Sequence, residues 1–364
     1  MAWSLDLYDT QSGDLLAPLS AVSGTWGRGD QTLRQTTVQL HEKFSKAKWH
    51  ELLEAWWDRQ LVHSWNGEPV YAGTLLAAPA FNRRTRALTL QHADLSLILD
   101  RRWLHGVGTS RGEGGYQKTG GFEVSGVSLQ GAIVKLLEVF YRAPISPAWP
   151  VPVDLPAAGA GSFAKRWDFY NFANGEEIIR GVAELDGGPQ LDLQPKIVGG
   201  KLRWDQRIGN PLTGPAFDVH LDAQVSAAES SSIGYLGQET ATGIHYPGKG
   251  SEEDMRVGAA FLPPSAGLAR DSIFWDKDEE DVDKLITGAK GRLNGLTDAT
   301  VRRPLTLKAA MISPADLRIG SLLTIHSDCK VWEPAVQVCR VVGFSGTLGG
   351  QTYEVELQEV SRTL

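Results

Sequence analysis

The chain is poor in cysteine, in long apolar runs and in surplus positive charge, and each shortage removes a class of protein. Only two of its 364 residues are cysteine, so no disulfide framework can substitute for a packed core. The spacing of Cys329 and Cys339 permits a cross-strand disulfide; two reduced thiols are the expected state. No stretch approaches the roughly 18 continuous apolar residues of a membrane span. The first residues, Met1 to Tyr8, lack the basic start and apolar run of a secretory signal. The expectation is a protein made in a cytoplasm that stays there or leaves as part of an assembly. Lys and Arg number 36 against 43 Asp and Glu, a net charge of −7. That leaves no surplus of cations for a broad nucleic-acid-binding face, while DNA could still slide past such a surface without adhering.

What is present is an ordinary globular balance, 42% hydrophobic and 22% charged, so a packed core is within reach. The length suggests two or three domains, because single cores stop growing beyond roughly 250–300 residues. Trp at 12 and Gly at 40, against 3 Met, are the departures. Trp favours interfaces, and scattered glycines mean many turns and hence many strands. Together they lean towards an assembled β protein.

Periodicity divides the chain into three segments. In the first, about 1–105, Trp3, Leu5 and Leu7 alternate with polar residues as in a strand. A second strand is expected through Leu15, Leu16 and Leu19, a Gly-rich turn over Gly24 to Gly29, and a strand over Thr36–Leu40. Ser45 reads as a helix N-cap, with Trp49, Leu52, Leu53, Trp56 and Trp57 forming an apolar stripe on a helix from Lys46 to Arg59. Strands Leu61–Trp65 and Pro69–Leu75 flank Asn66-Gly67, the strongest short hairpin pattern. A further strand, Ala87–His92, follows the basic turn at Arg83, Arg84 and Arg86. The second segment, about 106–205, holds a helix starting near Ser128, another from about Asn174 to Leu185 ending at Gly187-Gly188, and two short strands about Gly199-Gly200. The third, about 206–364, returns to strands, with Phe217–Leu221 alternating cleanly and a strongly β end. Within it, about 227–299 is Gly-rich and weakly periodic, with part of it expected to be mobile or ordered only by a partner. Its acidic run, Asp276 to Asp283, suits a helix start. The expected fold class is thus β-rich α+β: two small antiparallel barrel-like domains flanking a small α/β domain.

No chemical motif survives its context. Gly108-Thr109-Ser110-Arg111-Gly112 matches G-x-S-x-G, but Glu113-Gly114-Gly115 follows where a nucleophile elbow needs a helix. Gly112 to Thr119 resembles a phosphate-binding loop, but Gln117 precedes Lys118 where a glycine is required. His41-Glu42 begins a zinc-protease pattern that Ser45 breaks. The acidic run lacks the central glycine of a calcium loop. No catalytic, cofactor-binding or metal-binding residue is assigned, and no enzymatic activity is expected. Trp56 and Trp57 could form a sugar platform, yet on an amphipathic helix such pairs more often serve a core or subunit interface. Arg101 and Arg102 suit inter-subunit salt bridges. With Trp103, these five are the candidate interface residues.

The order of features between Leu61 and Leu104 carries more. A hairpin at Asn66-Gly67, a strand with Tyr71-Ala72-Gly73, a basic turn, a strand ending at Ala93-Asp94 and a short apolar helix closed by Asp100-Arg101-Arg102 resemble the first domain of siphophage tail-hub proteins, those of actinobacterial phages above all, usually called minor tail proteins. A later stretch, Gly175-Glu176-Glu177-Ile178-Ile179 with Gly187-Gly188-Pro189-Gln190-Leu191-Asp192-Leu193 and Arg207-Ile208-Gly209, is similar to them as well. The resemblance implies a virion protein of the tail tip acting as a homotrimer, with two barrel-like domains per subunit matching the six-fold tail tube. Its implied partners are a distal tail or tube protein above, other tail-tip or fibre proteins and the tape measure, with DNA only in passage. The alternative reading is a tip protein that binds host cell-wall glycans through Trp56, Trp57 or the loops of 227–299.

Overall fold

The computed structural model describes residues 2–29, 35–41, 55–76, 80–104, 120–142, 151–232, 234–236, 240–263, 268–277, 279–296, 300–328 and 335–360. The described residues of the first segment form eight strands: β1 (Trp3–Asp9), β2 (Leu15–Leu19), β3 (Ala21–Gly29), β4 (Gln35–His41), β5 (Arg59–Trp65), β6 (Glu68–Leu75), β7 (Ala80–Asn82) and β8 (Ala87–Asp94). A 3-10 helix over Leu95–Arg101 follows, N-capped by Asp94 through Ser96 N. The hairpin β5–β6 turns on Asn66 and Gly67, at φ 52° and 87°, the left-handed pair that a two-residue turn between twisted strands requires.

The middle of the chain supplies β9 (Gly121–Val127), α1 (Leu129–Tyr141), β10 (Val153–Asp154), β11 (Phe163–Asp168), α2 (Gly175–Ala183), β12 (Gln190–Val198) and β13 (Lys201–Gly209). Both helices begin as their sequences dictate. The Ser128 hydroxyl accepts from Gly131 N at 3.0 Å, and the Asn174 side chain accepts from Glu177 N at 2.8 Å, each satisfying an amide that the first turn leaves open. Their buried faces, including Ile133, Leu137, Phe140, Ile178 and Val182, share one core with Leu202 and Trp204 of β13 and with Tyr8, Val62 and Ala72 of the first segment.

The last third contributes β14 (Ala216–His220), β15 (Ala228–Ser231), β16 (Gly234–Leu236), β17 (Gly243–Pro247), β18 (Val257–Phe261), β19 (Asp271–Ile273), α3 (Val282–Leu296), β20 (Thr300–Lys308), β21 (Leu322–His326), β22 (Val336–Thr347) and β23 (Thr352–Glu359).

Three expectations are corrected. The two flanking units are not closed barrels: among the described residues their strands join in one open sheet, in the order β15-β20-β23-β22-β3-β4-β8-β6-β5-β1-β2. The Gly-rich stretch read as a turn is β3, the strand at the join. It pairs with β4 on one side and with β22 on the other, from Gly343↔Gly29 to Thr347↔Thr25. Glycine weakens a strand but lets backbone and ring approach closely: a Cβ on Gly346 would lie 2.7 Å from the Trp26 ring. Most of the helix expected over Lys46–Arg59 falls outside the described residues. Its end is not helical, because Trp57 adopts φ 67°, its amide donates to Leu75 O, and Arg59 already opens β5.

The described residues within 227–299 build a small sheet covered by a helix. β17 pairs with β18 and β19, and α3 covers one face of that small sheet. Ile244, Tyr246, Ala260, Leu285, Ala289 and Leu293 form its core. Gly258 allows the close contact, since a Cβ there would meet the Leu285 backbone at 2.3 Å. Cys339 is buried in β22, whereas Cys329 lies outside the described residues.

The core beneath the first-segment sheet contains a polar inclusion. His63 and His92 are 0% exposed, with ring centroids 5.3 Å apart. Tyr71 lies 5.6 Å and 5.5 Å from them, and its hydroxyl is 3.3 Å from His92 Nδ1. Burial holds both imidazoles neutral, His63 well below its ordinary range with repulsion from His92 added, and His92 lowered to about 3. The unfolded chain takes up these protons below about pH 6.5 while the native state refuses them. Stability is therefore fully present above that pH and lost as pH falls towards the folded values, by about 1.4 kcal/mol per unit for each histidine. Urea midpoints measured from pH 7.5 down to pH 4.5 are expected to fall accordingly. The double replacement His63→Leu/His92→Phe is expected to flatten that fall, and an unchanged slope would refute the assignment.

Candidate assembly surface and the ionic junction beneath it

Where the three segments meet, charge is buried. Arg28 points inward from β3, and its Nη2 lies 2.6 Å from Asp192 Oδ1 on β12, both side chains 4% exposed. Arg207 of β13 reaches the other oxygen of the same carboxylate at 2.7 Å. The Arg207 guanidinium also donates to Ile319 O at 2.9 Å and to Thr213 O, both in the last third of the chain. The Arg28 guanidinium lies 5.5 Å from the centroid of the Phe344 ring of β22. Gln206 Nε2 donates to Asp192 O at 3.3 Å. The carboxylate is thus satisfied on both oxygens, which is the condition for burying it at all. A cavity of about 110 Å³ adjoins it, lined among others by Asp94 and Tyr141. Burial pushes the Asp94 carboxyl up against the opposing pull of its Ser96 hydrogen bonds, and raises the Tyr141 phenol.

Beside this junction an aromatic cluster ties the first strand to the last hairpin. Trp3 lies 5.3 Å from Trp26 and 5.0 Å from Trp65, and Trp26 lies 5.9 Å from Phe344. Trp3 Nε1 donates to Gly350 O at 2.8 Å.

The opposite face of the same sheet is open. Thr25 and Ser23 of β3, Thr37 and Gln39 of β4 and Gln91 of β8 are exposed on it, because their neighbours Trp26, Val38, Leu40 and Leu90 point into the cores. Ser345 and Thr347 continue it on β22, Glu354 and Glu356 on β23 and Thr306 on β20. At these positions the face carries hydroxyls, amides and carboxylates. Lys308 of β20 is paired with Glu229 at 3.3 Å, and Arg340 lies beyond the β22 bulge at Val341/Gly343.

The candidate interface residues are dispersed. Trp56 is 44% exposed in the turn before β5, while Trp57 beside it is half-buried, so the two indoles share no platform. Arg101 is exposed and sits 3.4 Å from Asp100. Arg102 is buried, 6% exposed. Its guanidinium donates to Phe140 O and its carbonyl accepts from Gly175 N at 2.9 Å, which makes it an internal strut between the 3-10 helix, α1 and α2. Trp103 is 45% exposed and bridges to Asn174. Arg83, Arg84 and Arg86 stand exposed on the turn after β7. The G-x-S-x-G match and the phosphate-loop near miss lie outside the described residues, as do Glu42 and Ser45. The acidic run leads into α3 and folds on itself, Asp283 N donating to Asp281 Oδ1 at 2.9 Å. Among the described residues no three His, Cys, Asp or Glu side chains converge as metal ligands do. Sequence reasoning missed the Arg28–Asp192 pair, whose partners are 164 positions apart and leave no local pattern.

No protein-family model matches the chain, and no curated protein matches it by sequence. Solved structures do match. The tail protein from Neisseria meningitidis has a TM-score of 0.56 at 12% identity, over 99% of this chain and 97% of that one. A prophage tail protein from Shewanella oneidensis has a TM-score of 0.57 at 9% identity, over 97% of this chain and 98% of that one. A component of the type VI secretion system of E. coli, itself structurally similar to T4 bacteriophage tail proteins, has a TM-score of 0.50 at 9% identity, over 98% of this chain and 76% of that one. At such identities the likeness concerns the fold: this β-rich chain with few helices has the fold of phage tail proteins.

Replacing Asp192 by Ala is expected to leave two buried guanidinium groups without their anion and to cost about 3–5 kcal/mol. The triple change Arg28→Met/Asp192→Leu/Arg207→Met is expected to cost less than the single one. Urea unfolding of both variants checks the order, and equal losses would sink the ionic account.

Proposed function

We propose that the chain is a structural subunit of a phage tail tip, a hub protein that joins the six-fold tail tube to the tip and lines the passage for DNA. The observation that carries the reading is the fold shared with the Neisseria and Shewanella tail proteins over nearly the whole of both chains. Its finer parts are proposals built on chemistry. A homotrimer whose subunits each supply two strand-built units, about 1–105 and 206–364 around a middle unit at 106–205, would present six to the tube. A closed ring uses every head-to-tail interface and leaves none to propagate.

The open sheet face suits the lumen of such a ring. Hydroxyls and amides give no strong hold on a passing duplex, and the carboxylates of Glu354 and Glu356, both exposed, repel phosphate. Binding would need clustered Lys and Arg instead. Trp56, Arg101 and Trp103 are the exposed members of the candidate interface, and exposed tryptophans are the residues that subunit contacts use as anchors. The neighbours above would be a distal tail or tube protein, and below, tip or fibre proteins and the tape measure. The chain's place is then in the virion, after assembly in the host. An organised catalytic cluster has no part in this role.

The test is the mass of the purified chain in solution. Light scattering coupled to size exclusion is expected to give three copies, and electron microscopy a ring. Trp103→Ala is expected to raise the concentration at which the oligomer forms by about tenfold, the size of an interface anchor. A single-copy mass at every concentration would remove the hub reading, as would a ring whose lumen is lined mainly by Lys and Arg.

A further inference from the structure

A large cleft with chemistry of its own lies apart from the sheet. One wall is β11 and α2; the other is the small sheet of 227–299 with α3. It encloses about 690 Å³, within the range of about 300–1,000 Å³ usual for small-ligand sites. Two indoles line it, Trp167 of β11 and Trp275 two residues beyond β19. Trp167 is backed by the Phe122 ring, stacked at 6.4 Å. Trp275 remains 54% exposed, although Tyr246 in the same wall is buried.

The charged side chains of the walls are matched to one another. Lys165 Nζ lies 2.9 Å from Asp276 Oδ2 and Arg166 Nε 2.8 Å from Asp168 Oδ1. Arg292 pairs with Glu184, and Arg180 with Glu176. The Arg292 guanidinium also stacks on Phe274 at 4.4 Å, fixing it in place. Two further charges at the cleft, Glu177 and Lys277, are of opposite sign. A phosphate-bearing or otherwise charged polymer would find no surplus counter-charge here. A wholly apolar ligand would strip water from wall groups it could not satisfy. A ligand with a flat apolar face and a neutral hydrogen-bonding rim answers both constraints, and a sugar ring has that form.

We propose that this cleft binds a neutral carbohydrate chain. Trp275 stacks on the C–H face of one ring, and the side chains of Asn171, Glu177 and Lys277 meet its hydroxyls. The site is independent of the proposed hub role, and its two walls come from parts of the chain that are far apart in sequence.

Calorimetric titration of the full chain with two neutral probes, tetra-N-acetylchitotetraose and maltotetraose, tests this. At least one is expected to bind at millimolar concentration or below. Trp275→Ala is expected to weaken that binding about tenfold, as loss of a stacking ring does, with an unchanged melting temperature because the ring is exposed. Leu268→Ala, at a side chain 85% exposed and outside the cleft lining, is expected to leave the affinity unchanged. Failure of both probes to bind overturns the proposal and leaves the cleft to a polypeptide occupant. Binding indifferent to Trp275→Ala overturns it equally.

Discussion

Asp192 accepts from two guanidinium groups in the interior, one brought by the first segment and one by its own hairpin partner. Arg207 passes the connection on to carbonyls of the last third. A buried carboxylate so placed tolerates little movement of the strands around it, since losing either partner leaves charge in a low-dielectric interior. The three segments are therefore held in one relative position by a contact that is costly to break, over and above their hydrophobic cores. The open sheet face is continuous only while β3 lies against β22.

The polar inclusion around His63 follows a different logic. It lies among leucines that could have filled the space, so it contributes less than an apolar core would. Its effect is to make the first-segment sheet sensitive to acid. The Arg–Asp junction fixes the segments against one another, and the histidines set where the first unit begins to weaken as the pH falls.

Much of the local structure was legible. Asn66-Gly67, Ser128 and Asn174 announce a turn and two helix starts through side-chain and backbone preferences that operate within four residues. The sequence also resembled tail-hub proteins along a stretch whose fold is that of phage tail proteins. What was not legible is long-range. The glycines of β3 look like turn residues because nothing local reveals that β3 pairs with β4 on one side and with the distant β22 on the other. The short strands β17 to β19 carry too few residues to establish a period, and their order comes from α3, which follows them in the chain. Arg102 reads as a surface cation until the fold places Phe140 O within its reach. Trp56 and Trp57 fit a helical stripe on spacing alone, and the left-handed turn at Trp57 separates them.

The seating of β3 against β22 has a consequence for synthesis. During translation the first unit emerges with its hydrogen-bonding edge on β3 bare, and β22, the strand that covers it, follows only after the whole middle of the chain. Until then that edge is open to any other nascent chain with a free strand. Gly27 and Gly29 on that edge make it a poor β-former while it is bare, which disfavours wrong pairings until the proper partner arrives.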